Sequence, residues 1–322
     1  EGKELLKFAD GSVHQTIYFP EVKAFHIALP PLTEQKRIAE VLSAFDDKIE
    51  LNRRMNETLE RMAQAIFRDW FVDFGPVRRK MEGASDPVKI MGGVTTNADE
   101  AARLAALFPA ALADDGLPEG WEDAALSDFV ELNPKEPLKK GTVAPYTDMA
   151  ALPTSGPTTA PPVSREFNSG MRFRNGDALL ARITPCLENG KSAYVDFLPD
   201  DESVGWGSTE FIVLRSKPPV PSPFAYLMVR HPEFRERAVQ SMTGTSGRQR
   251  AQANALARFP IARAKPNIYA SFGEIIQPMF DLVSAHAKES RTLAAMRDLL
   301  LPKLMSGEIR LKDTKKIAEA AE

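Results

Sequence analysis

The sequence predicts an α/β (α+β) domain attached to a long antiparallel two-helix coiled coil. Three observations carry that expectation. The chain repeats itself at an offset of 234 positions, and both copies hold an apolar seam of coiled-coil spacing. Between them, residues 117–266 change to the pattern of short strands and short helices.

The repeat comes first. At that offset Ser12 falls on Ser246, Gln15 on Gln249, Phe25 on Phe259 and Ile27 on Ile261. Further on, Glu40 meets Glu274, Asp47 meets Asp281, Thr58 meets Thr292, Leu59 meets Leu293 and Met62 meets Met296. The apolar pattern matches without a gap.

The first helix is expected from Thr33 to about Trp70, a run without Pro or Gly. Its seam alternates by four and three: Ile38, Leu42, Phe45, Ile49, Asn52, Asn56, Leu59, Ala63, Ile66 and Trp70. The second copy places Phe272, Ile276, Met279, Val283, His286, Ser290, Leu293, Arg297, Leu300 and Leu304 at the same positions. Such a stripe is too narrow and too long for an average globular helix and requires a partner. The other copy is the obvious one, packed antiparallel with Asn52 and Asn56 facing His286 and Ser290. Thr33 is expected as N-cap, and Pro278 should kink the second helix or mark its start.

Residues 75–116 read as an Ala-, Gly- and Asp-rich connector with one short helix near Asp99–Leu107. In the following domain, strands are expected at Ala178–Ile183, Ala193–Leu198 and Phe211–Arg215, and helices near Phe224–Val229 and Glu233–Gln240. The Pro/Thr-rich run from Leu152 to Val163 reads as a surface loop.

Composition is that of a globular protein, with 43% hydrophobic and 26% charged residues. A single cysteine, Cys186, fits a reducing, cytoplasmic setting. The Ala/Leu-rich stretch 105–113 is broken by Pro109 and too short to span a membrane, so no membrane partner is expected. Net charge is −3, yet from Arg230 to Lys265 eight Lys or Arg stand against two Glu, a local +6. That stretch suits a nucleic-acid footprint and equally a solvated basic surface.

The segment from Thr243 to Arg250 is the strongest candidate for chemistry. Its glycines permit close backbone approach to a phosphate, and the hydroxyls of Thr243, Thr245 and Ser246 can donate to one. Arg248, Gln249 and Arg250 suit the reading of guanine and adenine edges. A plain Gly-rich turn is the alternative. Arg182, Thr184 and Lys191 flank a turn at Pro185–Gly190, and Ser208 and Thr209 occupy another. Thr209 and Glu210 can equally bond the domain interior.

Enzyme motifs are missing. Asn133-Pro134-Lys135-Glu136 lacks the second proline and aromatic of an adenine methyltransferase, and Glu188-Asn189-Gly190-Lys191 has the wrong spacing for a nuclease. No P-loop is present, nothing near Cys186 supplies a base, and the four histidines show no ligand spacing, so no metal or catalytic residue is expected.

Several blocks resemble a known family. Pro30–Phe74 is similar to the central helical region of type I restriction–modification specificity subunits, and Leu117–Trp121 resembles the opening of their target-recognition domain. Gly176–Lys191, Gly207–Phe211 and Ser241–Arg250 resemble the family's recurrent blocks, and Asp298–Ile309 the end of its second helical region. The resemblance implies a remnant of a first recognition domain at 1–30 and long helices at 31–74 and 267–308. It further implies a connector at 75–116, a recognition domain at 117–266 and a tail at 309–322. Leu5–Leu29 would be the end of an absent first domain. The implied partners are double-stranded DNA, methyltransferase subunits and, through them, restriction subunits, with self-association an option for a half-length chain. S-adenosylmethionine, magnesium and ATP would belong to those partners, leaving this chain without a cofactor. The alternative is an assembly or dimerisation scaffold without DNA binding of its own.

Overall fold

The structure, a computed structural model, describes residues 29–245 and 247–310. They form two compact units: Leu51–Glu289, and the described residues up to 50 together with those from 290. Residues 1–28 of the remnant expected at 1–30, Ser246 and the tail after Arg310 lie outside the described residues.

Helix α1 spans Leu32–Phe71. It begins one residue before the expected Thr33. The carbonyl of Pro31, not a Thr33 side chain, accepts from the N–H groups of Glu34 and Gln35 at 2.9 and 3.0 Å. Gln35 Nε2 adds a bond to the Pro30 carbonyl at 2.8 Å, so the proline pair starts the helix.

Three short helices follow: α2 (Gly75–Met81), α3 (Pro87–Ile90) and α4 (Ala98–Leu107). The connector therefore holds more structure than the single expected helix. Val77, Ile90, Met91, Leu104 and Phe108 bury into the same core as Trp70, Phe71 and Trp121. Asn97 caps α4 by accepting the Glu100 N–H at 3.1 Å, and Arg79 grips Asp69 with both terminal nitrogens at 2.8 and 2.7 Å.

The remaining elements are β1 (Glu122–Ala125), α5 (Leu126–Phe129), β2 (Val130–Leu132), β3 (Val143–Thr147), β4 (Val163–Glu166) and β5 (Met171–Phe173). Then come β6 (Ala178–Ala181), β7 (Ser192–Tyr194), β8 (Gly205–Gly207) and β9 (Phe211–Ser216). The chain continues through α6 (Pro223–Arg230), α7 (Pro232–Gln240), α8 (Ala253–Ala257), β10 (Pro260–Arg263) and α9 (Pro266–Ser306).

The strands form two four-stranded sheets, β2-β9-β6-β7 and β4-β3-β8-β5, beside an antiparallel β1-β10 pair. The first sheet is the middle layer. Ala178, Leu180, Ile212 and Leu214 face the main core with α6, while Leu179, Ala193, Phe211 and Val213 meet Phe173 of the second sheet. Burial on both faces explains its continuous apolar runs. Strand β7 ends before the expected Leu198, because Asp177 and Asn175 take over the bonding. The Val195 N–H reaches the Asp177 carbonyl at 2.8 Å, and the Leu198 N–H reaches Asn175 Oδ1 at 3.1 Å. The 152–163 run is a loop, but anchored: Leu152 is buried, and the carbonyls of Pro153 and Pro157 accept from Ser192 and Tyr194.

The helices run antiparallel in each unit. Within Leu51–Glu289, Asn52 Nδ2 reaches Glu289 Oε2 at 2.7 Å, and Asn56 Oδ1 meets His286 Nδ1 at 2.8 Å. Within the other unit Ile38 and Leu42 pack with Leu300 and Leu304, and Arg297 pairs with Asp46. Pro278 neither starts nor interrupts α9, whose first position is Pro266. A proline costs nothing in the first turn, where the N–H has no helical partner. Pro278 and Glu274 are both exposed, so water can serve the carbonyl that a proline leaves unbonded.

Candidate nucleic-acid interface

Three loops converge beyond the ends of β6 and β8. The chain leaving β6 at Ala181 is held on both sides. The Arg182 N–H reaches the Glu210 carbonyl at 2.9 Å, and the Ala251 N–H reaches the Arg182 carbonyl at 2.7 Å. One step on, the Thr184 N–H donates to the Gln249 carbonyl at 3.1 Å. Arg182, Thr184, Ser208, Thr209, Thr243, Thr245, Arg248, Gln249 and Arg250 thus lie on connected loops.

The third loop is closed by reciprocal bonds between Thr243 and Arg250, 3.1 and 2.9 Å long. Gly244 is required at its entry. Its φ is +128°, and an added Cβ would stand 3.0 Å from the Arg248 carbonyl. Thr243 Oγ1 accepts from Gln252 Nε2 at 2.8 Å. Thr245, Arg248 and Thr209 are exposed at the rim.

Arg250, expected to face DNA, is engaged within the protein as well. Its Nε and Nη2 clasp the Glu210 carboxylate at 2.9 and 2.7 Å, and Nη1 reaches the Arg248 carbonyl at 3.3 Å. Hydrogen bonds from Arg250 hold the Glu210 carboxyl below its usual value, against the opposing effect of burial. The pair ties the third loop to the second, so Arg250 positions the loop and Arg248 is its outward arginine.

Lys191 also serves the framework. Its Nζ donates to the Met149 carbonyl at 2.8 Å, and its backbone bonds to Cys186 and Ala181 close the first loop. Ser208 Oγ accepts the Glu210 N–H at 3.1 Å, shaping the second loop. Arg182 Nε and Thr184 Oγ1 are buried without a hydrogen-bond partner among the described residues.

Two polar networks escaped sequence reasoning. Glu136 accepts from Arg174 and Arg215, while Arg215 also grips Asp177 at 2.6 and 2.7 Å. Burial raises the Glu136 carboxyl, but the two arginines outweigh it and hold it below its ordinary value. The second network ties α1 to the domain. Tyr226 donates to Glu60 at 2.6 Å, Arg230 Nε lies 3.3 Å from Glu60, and Arg230 Nη1 reaches the carbonyls of Thr154 and Gly190. Gly190 belongs to the first loop, so this chain of contacts runs from helix to interface.

No group of His, Cys, Asp and Glu suited to a metal occurs among the described residues, and none of their helices is long and apolar enough to cross a membrane.

Residues 2–61 match the family model described as type I restriction modification DNA specificity domain. Over 91% of its length the chain is 25% identical to the specificity subunit of type I restriction enzyme HindI from Haemophilus influenzae, covering 71% of that relative. The MjaIX specificity subunit of Methanocaldococcus jannaschii is 25% identical over 92% of the chain and 64% of its own length. This chain therefore spans about two thirds of these relatives. Among solved structures, the type I restriction–modification S subunit from M. genitalium aligns with a TM-score of 0.48 at 17% identity, over 93% of this chain and 68% of that one. The HsdS subunit from Thermoanaerobacter tengcongensis aligns with a TM-score of 0.33 at 19% identity, over 95% and 67%.

Proposed function

We propose that this chain, a relative of the type I restriction specificity subunits, binds double-stranded DNA in a sequence-specific way through residues 117–266. The carrying observation is the junction of three loops, at which Thr209, Thr245 and Arg248 are exposed on a frame fixed by Arg250–Glu210 and Thr243–Arg250. Bound backbone amides and a locked ion pair preorganise the rim. Arg248 can then offer a planar fork to a guanine edge or a phosphate, and the threonine hydroxyls can donate to phosphates.

In this reading the chain catalyses nothing and holds no cofactor. It directs methyltransferase subunits docked on the helical pair, and through them restriction subunits. S-adenosylmethionine, magnesium and ATP act in those partners, in the cytoplasm. Exposed Leu51, Met55 and Met62 on α1 suit a protein partner. The same side chains favour the second reading, an assembly scaffold without DNA binding of its own.

Selection from a randomised duplex pool separates the two. A recognition chain enriches one sequence family at low salt and loses affinity as salt rises. Recovery of unenriched DNA at every salt would leave the scaffold.

A further inference from the structure

We propose that the outer face of the β4-β3-β8-β5 sheet is a second contact surface for DNA phosphates, with Arg165 and Arg172 as its donors. The proposal rests on the DNA-binding reading above and extends it to a face outside the three loops.

Register sets the face. Arg172 pairs with Trp206, Trp206 with Tyr146, and Tyr146 with Val163, so these four residues form one row across the sheet. The opposite face carries Phe173 into the inner core. The row lies on the outside of the outermost layer.

The arginines there are held by rings. The Arg165 guanidinium carbon lies 4.9 Å from the Tyr146 centroid and 6.0 Å from that of Trp206. Arg172 lies 5.8 Å from the Phe167 centroid, and Phe167 packs edge-on to Trp206 at 5.4 Å. Trp206 Nε1 also donates to the Arg165 carbonyl at 3.3 Å. A guanidinium over an aromatic face is held by the ring quadrupole without using up its N–H donors, which can still reach an anion.

Like Arg248, these two lack, among the described residues, the carboxylate partner that holds several other arginines of the domain. Arg174, Arg215, Arg250 and Arg263 all pair with carboxylates. Arg165 and Arg172 have no carboxylate within salt-bridge reach among the described residues. Glu166 alternates to the other side of β4. Exposed Lys139 and Lys140 stand beside the face, where the Gly141 N–H bonds the Phe167 carbonyl and the Phe167 N–H bonds that of Thr142, both at 2.8 Å. The patch is thus cationic and aromatic.

It is also continuous with the candidate interface. Strand β8 runs from Trp206 through Gly207 straight into Ser208 and Thr209 of the second loop. A duplex laid on the loops can run its backbone along this face. Since the contacts are to phosphates, they position the DNA without reading it.

The test compares the full chain with its Arg165→Gln/Arg172→Gln double variant and with Arg165→Gln alone, at the exposed edge strand. Affinity for the selected duplex and for a scrambled one is measured across a salt titration. The salt slope should fall by nearly two units in the double variant and about one in the single, at ~0.9 per phosphate. Both duplexes should weaken equally, leaving the preference intact. Binding and slope equal to the parent's in both variants overturn this face while the DNA-binding reading stands. Loss of methyltransferase-subunit capture with an unchanged slope also overturns it, by assigning the face to a protein. A parent that binds neither duplex removes the reading itself, and this proposal with it.

Discussion

Asn52 Nδ2 donates to the carbonyl of His286 at 3.4 Å, across a sequence separation of 234 residues. That separation equals the repeat offset, so each residue is the other's counterpart in the second copy. In an antiparallel pair of repeats, counterparts meet only on the pseudo-two-fold axis. The buried polar residues of both seams gather there, Asn52 also reaching Glu289 and Asn56 reaching His286 and Val283. Buried polar groups at seam positions fix register at a cost in stability.

Removing one partner from this cluster should destabilise the pair. Asn56→Ala strips the 2.8 Å partner from His286 Nδ1 and the Nδ2 bond to Val283. Thermal or denaturant unfolding should show a loss of about 1–3 kcal/mol. An unchanged midpoint would mean that water replaces the amide and that the register is set elsewhere.

The Glu60 network makes a sharper demand. Tyr226 is fully buried and donates to the Glu60 carboxylate, which Gln64 and Arg230 also engage. Burial, reinforced by the negative charge of Glu60, drives the Tyr226 hydroxyl well above its ordinary pKa, so it is a donor throughout the accessible range. Tyr226→Phe should cost about 1.5–3 kcal/mol, as for a hydrogen bond to a charged group. Glu60→Ala should cost about 3–5 kcal/mol, because it leaves Arg230 uncompensated. Urea unfolding of the two variants checks both the size and the order.

Acid should loosen the interface frame. The Glu210 carboxyl lies below its ordinary value, mainly through hydrogen bonds from Arg250. A depressed folded pKa contributes stability that is complete above the unfolded value, ~4.3 for glutamate. That contribution is lost as pH falls through the folded pKa. Glu210→Gln should therefore lower stability at neutral pH and flatten the acid side of the stability curve. Coincident curves for variant and parent would show that the ion pair holds nothing in place.

Gly207 tests the packing beneath the loops. A Cβ there would stand 2.4 Å from the Thr147 carbonyl and 2.6 Å from the Phe211 ring. Gly207→Ala should cost about 1–3 kcal/mol by overpacking, measured by thermal unfolding. A neutral substitution would mean that the two sheets can separate at this point.

The helical seam was legible because its period is local. Every expected seam residue from Ile38 to Trp70 and from Phe272 to Leu304 is buried or half-buried. The strands were legible as apolar runs, though their ends were not. Strand ends such as Tyr194 are decided by contacts like that of Asn175, whose reach no period reports. Thr33 and Pro278 failed as boundary signals, since the carbonyl of Pro31 caps the first helix and Pro266 opens the second. The loops at 182–191, 208–210 and 243–250 were recognised as candidates one by one. Their junction was not, because Arg250 and Glu210 are 40 residues apart. The same holds for Glu136 and Arg215, 79 residues apart, and for the arginines lying over Tyr146 and Phe167.

The most direct measurement is equilibrium binding of the full chain to its selected duplex and to a scrambled duplex across a salt titration, repeated for Arg248→Ala. The parent should prefer the selected duplex at every salt. Arg248→Ala should then either lose about 1–3 kcal/mol of that preference, if the side chain reads a base, or weaken both duplexes alike, with about one unit less slope, if it holds a phosphate. Equal affinity of the parent for the two duplexes throughout the titration would contradict sequence recognition by this chain.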